Sequence, residues 1–239
     1  MKALLSSTYF GPIQWYQKLN RYDECLIERH ESFIKQTYRN RMLIPTTNGP
    51  LSLTIPTNHN TSLAMKDIRI SDHANWRHVH WNALLSAYGE SPFFEYYQDD
   101  IRPFYEKKYE FLFDFNMEIT EKMIELLDIR PKISVTNEYI QSEELKVKSE
   151  EFNGLANHKV QSSNLKVQSK EVQSKEVQSK EVQSIVDFRE AIRPKKPLPD
   201  AEFESRRYYQ VYEQKFGFQP NMSILDLLFN EGNEAIFYL

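Results

Sequence analysis

A single cysteine, Cys25, occurs in the 239 residues, which rules out an internal disulfide and fits a reducing compartment. Positive charge is not in excess either. Lysine and arginine number 30 against 34 acidic residues, a formal charge of -4. The chain therefore lacks the cationic surplus that neutralises a phosphate backbone, which argues against nucleic acid as its partner. No run approaches the ~20 apolar residues of a membrane span. The opening Met1-Lys2-Ala3-Leu4-Leu5 passes into Ser6, Ser7 and Thr8 too soon for a signal-peptide core, so the expected location is cytoplasmic. A phosphate-loop lysine, a G-x-G-x-x-G run, an H-E-x-x-H pair and a Cys-His cluster are all missing. Neither a nucleotide fingerprint nor a metal site is legible, and no cofactor is expected.

What the chain does have is apolar and aromatic bulk. Hydrophobic residues make up 40% of it, with 15 Phe, 14 Tyr and 3 Trp, enough to close a sizeable core as one domain. Ala3 to Ser6 reads as a strand, followed by the loop Thr8-Tyr9-Phe10-Gly11-Pro12 and a helix through Ile13, Trp15, Tyr16 and Leu19. Cys25-Leu26-Ile27 predicts the next strand. Met42-Leu43-Ile44 and Leu51 to Ile55 predict a hairpin across Asn48-Gly49-Pro50, and Asp67 to Ile70 a further strand. From Asp72 the period becomes helical. Trp76, His80, Leu84 and Tyr88 recur every four residues, and Leu112, Phe115, Ile119, Met123 and Leu126 every three or four. A middle helix over Phe93 to Lys107 should be kinked or divided by Pro103. Glu202 to Phe216 and Ile224 to Asn230 read as helices, the second stopped by Gly232.

Between Lys159 and Ser184 runs a five-residue repeat, with Val167, Val172, Val177 and Val182 in register. On an α-helix, five residues advance the chain by about 500°, so successive valines fall roughly 140° apart and form no stripe. On a strand, an odd period sends them to alternate faces. With nothing to bury, the segment is expected to be disordered. The fold class is therefore α/β, a single domain with a small mixed N-terminal sheet and a mainly helical second half. Residues 1–144 and 186–239 would be its two parts, and 145–185 the insert.

Four places could carry chemistry. Tyr9-Phe10-Gly11-Pro12 follows the first strand, where an α/β sheet keeps its ligand crevice and a helix N-terminus offers amides to anions; a tight turn that merely connects strand and helix is the better-favoured explanation. Lys35, Tyr38, Arg39, Asn40 and Arg41 form a polar cluster before Met42. Alternation would set Tyr38 and Asn40 on one face and Arg39 and Arg41 on the other, an anion clamp or a solvated strand edge. His73, Trp76 and His80 share a helical face at i, i+3 and i+7. There His80 is a general base shielded by Trp76, or else a hydrogen-bonded packing histidine. Ser223-Ile224-Leu225-Asp226 opens the last helix, with Ser223 as cap rather than nucleophile. Cys25, inside an apolar strand, reads as a buried structural thiol.

Taken in order, Thr8-Tyr9-Phe10-Gly11-Pro12-Ile13, Tyr38-Arg39-Asn40-Arg41, Thr54-Ile55-Pro56, Trp76 with His80, Tyr88 with Pro92-Phe93-Phe94, and Ser223 to Phe229 resemble the WbqC-like protein family. The chain departs from the family pattern at its opening, where Ser6-Ser7-Thr8 stands in the register of a Gln-Pro. The resemblance implies a part in making a bacterial surface polysaccharide such as an O-antigen. The implied activity is acyl or aminoacyl transfer onto a sugar, or else non-catalytic binding and assembly in the same pathway. On this reading His80 is the catalytic base and Tyr9, Tyr38, Asn40, Arg41 and Trp76 bind substrate. The partners are a small sugar or activated acyl substrate. A helix-turn-helix DNA binder over residues 73–127 is disfavoured by the charge.

Overall fold

The structure is a computed structural model, described here for residues 1–58, 63–141 and 184–239. The five-residue repeat lies outside the described residues. Four strands form one parallel sheet, β1 (Lys2–Ser6), β2 (Glu24–Glu28), β5 (Ile133–Val135) and β6 (Ile185–Asp187), in the order β5-β2-β1-β6. Helix α1 (Ile13–Arg21) makes the crossover from β1 to β2 that a parallel pair requires. Strand β1 is central and almost wholly buried, which explains its unbroken Ala3-Leu4-Leu5 run. The expected hairpin stands apart from this sheet. Strands β3 (Arg41–Thr46) and β4 (Gly49–Thr54) pair antiparallel, and Gly49 takes the positive φ of 97° that the turn demands.

The helical half packs on the hairpin strand β3 and on α1. Its elements are α2 (Trp76–Tyr88), α3 (Phe94–Ile101), α4 (Pro103–Glu106) and α5 (Leu112–Leu126), then α6 (Glu213–Phe216) and α7 (Ile224–Glu231). The middle helix is divided at Pro103, which starts α4. Helix α7 is buried on every side, as its all-apolar Ile224-Leu225 and Leu227-Leu228-Phe229 composition requires. Phe229 meets the rings of Tyr88 and Phe94 at 5.0 Å each. Ser223 caps the helix, its Oγ accepting from the Leu225 amide and donating to the Phe10 carbonyl. Gly232 ends it at φ 58°.

Three expectations are corrected. Asp67 to Ile70 is not a strand, because a 3-10 turn (Met65–Asp67) precedes it. Its backbone goes instead to the approach of α5, with Leu112 N donating to Ile68 O and Ile70 N to Glu110 O. Glu202 to Phe216 is helical only in α6, because the body of the protein captures the earlier part. Gln17 Nε2 donates to Glu204 O, Tyr209 N donates to Glu231, and the Tyr208 hydroxyl is buried against Asp226. His73 does not share the face of His80. It sits exposed in a separate 3-10 turn, split from α2 by Ala74 and Asn75 at φ 65° and 46°.

Candidate functional site

A crevice of about 440 Å³ opens at the carboxyl ends of the sheet strands, lined by residues that include His30, Glu31, Arg39, Tyr139, Asp187 and Arg189. From β1 the strand order runs outward to β2 and β5 on one side and turns back to β6 on the other. Open α/β sheets place their ligands at such a reversal. Each wall comes from the end of a strand. Ser6 closes β1, Glu28 closes β2 and leads to His30 and Glu31, and Asp187 closes β6 just before Arg189.

Two buried ion pairs dominate the crevice. Arg39 grips the Glu31 carboxylate with both prongs, Nε to Oε1 at 2.8 Å and Nη2 to Oε2 at 2.5 Å, and Nη2 also donates to Ser6 Oγ at 2.8 Å. Ser6 Oγ in turn donates to Glu31 Oε2 at 3.2 Å. Facing this triad, Arg189 holds Asp187 through Nε and Nη2, with Nη1 at 3.8 Å from the wholly buried Glu28. Burial works against the charge of Arg189, but its bonds to Asp187 prevail and hold its pKa above the ordinary arginine value. The Tyr139 ring lies 5.1 Å from the Arg189 guanidinium and is 49% exposed, so the crevice also offers an aromatic face. A second, water-sized pocket that shares Arg39 and Arg189 is lined by residues that include Ser6, Thr8, Trp15 and Tyr38. Among the described residues, no three His, Cys, Asp or Glu are grouped to hold a metal ion.

The start of α1 does not present free amides. The first amides of α1 are taken, Ile13 N by Met222 O, Gln14 N by Asn221 Oδ1 and Trp15 N by Pro12 O. The expected anion site at that helix start is thus filled by the chain's own C-terminal segment. Gly11 is required there for another reason, since a Cβ would meet Thr8 Oγ1 at 2.3 Å.

The residues singled out in the sequence fall into two groups. Tyr9, Trp76 and His80 meet in a buried aromatic cluster with Tyr105 and Phe115. There the Tyr9 hydroxyl lies 2.9 Å from both His80 Nδ1 and the Tyr105 hydroxyl. His80 is 4% exposed; burial pushes its pKa down to about 4, against a hydrogen bond to the Thr54 backbone. None of these residues lines the crevice. Tyr38 lines the small second pocket and not the crevice. Asn40 is spent on the core, its Nδ2 donating to Ile55 O, and Arg41 on the Thr54 hydroxyl. The polar cluster precedes β3 as a turn rather than continuing it as a strand, which is why Arg39 is buried at the crevice while Arg41 is not. Glu31, His30, Asp187 and Arg189 were not singled out in the sequence. Their one shared signal is position just past the end of a parallel strand.

An open parallel sheet with a charged crevice over its strand ends defines an α/β protein organised around one polar site. The chain belongs to the WbqC-like protein family, whose model matches residues 6–238. It is 27% identical over 240 residues to the uncharacterized protein Rv1507c of Mycobacterium tuberculosis, an alignment covering 99% of this chain and 96% of that one. No solved structure matches the chain. Among the described residues, no helix is long and apolar enough to cross a membrane.

Proposed function

We propose that the crevice binds a sugar-class substrate and that the protein modifies it by acyl or aminoacyl transfer during the synthesis of a bacterial surface polysaccharide. The observation that carries this reading is the pair of facing ion pairs, Glu31–Arg39 with Ser6 and Asp187–Arg189, at the reversal of the sheet. Carboxylates and guanidiniums held in fixed planes match the alternating donors and acceptors of neighbouring sugar hydroxyls. The exposed Tyr139 ring supplies an apolar face for the C–H side of a pyranose. In the transfer, a sugar amine forms the new C–N bond, the acyl carbon separates from its carrier, and the proton shed by nitrogen needs a base. Among the described residues, His30, half-buried, is the histidine that lines the crevice; His80 keeps a packing role. The polysaccharide setting comes from the family resemblance. A second reading, binding without catalysis, is favoured by one observation, that the crevice carboxylates Glu31, Asp187 and Glu190 are each already paired with arginine.

Titration of free and nucleotide-linked amino sugars against the wild type, Arg189→Met and Glu31→Gln tests the site, with thermal melts to confirm folding. The expected result is binding that both substitutions weaken by roughly tenfold or more. Binding that neither folded variant alters would reject the crevice. Turnover with acyl donors, lost in His30→Gln, separates the enzyme from the binding protein.

A further inference from the structure

We propose that the substrate of this crevice carries a phosphate group, and that the loop from Arg193 to Lys196 receives it; this rests on the crevice being the substrate site. The chain as a whole is acidic, at -4, yet cations gather at this mouth. The lining carboxylates Glu31, Asp187 and Glu190 face Arg39 and Arg189, and the segment that follows Glu190 adds Arg193, Lys195 and Lys196 next to that wall. Concentrating one sign of charge at a concave opening raises the local concentration of the opposite ion.

The loop is built to stay where it is. Ala191 and Ile192 are buried, with their amides on Phe188 O, and Leu198 N closes the loop on Glu190 O at 3.0 Å. Pro194, Pro197 and Pro199 fix three φ angles, and Lys196 holds a left-handed φ of 49°. Lys195 Nζ reaches across to Gln36 Oε1 at 3.4 Å, two residues from Ile34 of the crevice wall, so the ammonium stands at the rim. Arg193 Nη1 holds Glu190 at 2.6 Å, while its Nε is buried with no hydrogen-bond partner. A buried guanidinium N–H left unmatched is costly, and the Arg193 guanidinium sits beside the crevice residue Glu190. A carboxylate supplies one negative charge, whereas a phosphate ester brings about -1.5 to -2 and three acceptor oxygens. That matches several cations around one opening better.

The test uses the full-length chain and inorganic pyrophosphate, which reports on the rim whatever the sugar is. Calorimetric titration at low salt is expected to show binding that weakens roughly tenfold in the double variant Lys195→Ala, Lys196→Ala, and that fades as salt is raised. Absence of pyrophosphate binding, or equal affinity in the double variant, overturns the inference. Glucosamine without phosphate reports on the crevice itself. If it binds and Arg189→Met abolishes that binding while pyrophosphate ignores the lysine changes, the phosphate inference falls and the sugar site stands. Uridine diphosphate glucosamine and farnesyl diphosphate then compete against pyrophosphate. Displacement by the first supports a nucleotide carrier and by the second a lipid carrier; displacement by neither overturns the proposal.

Discussion

Two buried groups in this protein titrate over the same pH range with opposite effects on stability. Asp226 is wholly buried, and burial lifts its pKa from 3.8 to about 6 even though Tyr208 and Gln210 donate to it. Its contribution is complete below about pH 3.8 and drains away as pH rises to about 6, because the unfolded carboxyl ionises there and the native one resists. His80 runs the other way. With its pKa lowered to about 4, its contribution is complete above about pH 6.5 and is lost as pH falls through 4. Each shift is worth about 2 kcal/mol between about pH 7 and pH 4.5, so in the wild type they nearly cancel. Removing one exposes the other. Asp226→Asn should lose about 2 kcal/mol more than the wild type on acidification over that range, and His80→Gln about 2 kcal/mol less. Urea denaturation of the three proteins at about pH 4.5, 5.5 and 7 measures this directly. Variants whose stability tracks the wild type within about 0.5 kcal/mol at every pH would refute the burial assigned to both groups.

Arg39→Met should cost about 3–5 kcal/mol, since it strands the Glu31 carboxylate at the crevice floor, and adding Glu31→Leu should recover most of that in a denaturation cycle. Gly11→Ala should destabilise by about 1–3 kcal/mol through its clash with Thr8, an effect that Thr8→Ser would not relieve because the hydroxyl remains. Cys25 is buried and its thiol is pushed up to about 12. A thiol reagent at neutral pH should therefore label it only at the rate of unfolding, and rapid stoichiometric labelling of the native protein would contradict its placement.

The helices and hairpin were legible because their signals are local and periodic. The four-residue beat of Trp76 to Tyr88, the Asn48-Gly49 turn and the Ser223 cap each specify a structure without distant help. Strands β5 and β6 are three residues each, too short for alternation to register, and pairing with β2 and β1 makes them strands. The stretch 202–212 misled for the reverse reason. Its charged and aromatic spacing suits a helix, but Gln17, Arg21 and Asp226 draw its backbone and side chains out straight. At the candidate site, the polar cluster around Arg39 includes one residue that lines the crevice, yet neither Glu31 nor the Asp187–Arg189 wall carries any one-dimensional mark of meeting it. Proximity there is a property of the sheet order, and sheet order is not written in any window of sequence.

The hydrogen bond from Gln14 to Asn221 joins positions 207 residues apart. Beside it, Pro12 bridges Ser223, and Arg21 reaches the Leu239 carbonyl. The first crossover of the sheet is thus stitched shut by the last residues of the chain. A ribosome releasing this polypeptide from its amino end makes β1, α1 and β2 early, but they wait for residues beyond 184 before the central strand gains its second neighbour. Connections of such span carry a large loop-closure cost ahead of any reward, so refolding belongs in the range of milliseconds to seconds rather than microseconds. Fragments ending before β6 would assemble the hairpin and helices α1 to α5 around three of the four sheet strands, and would have no wall opposite Glu31 and Arg39 for a substrate to meet.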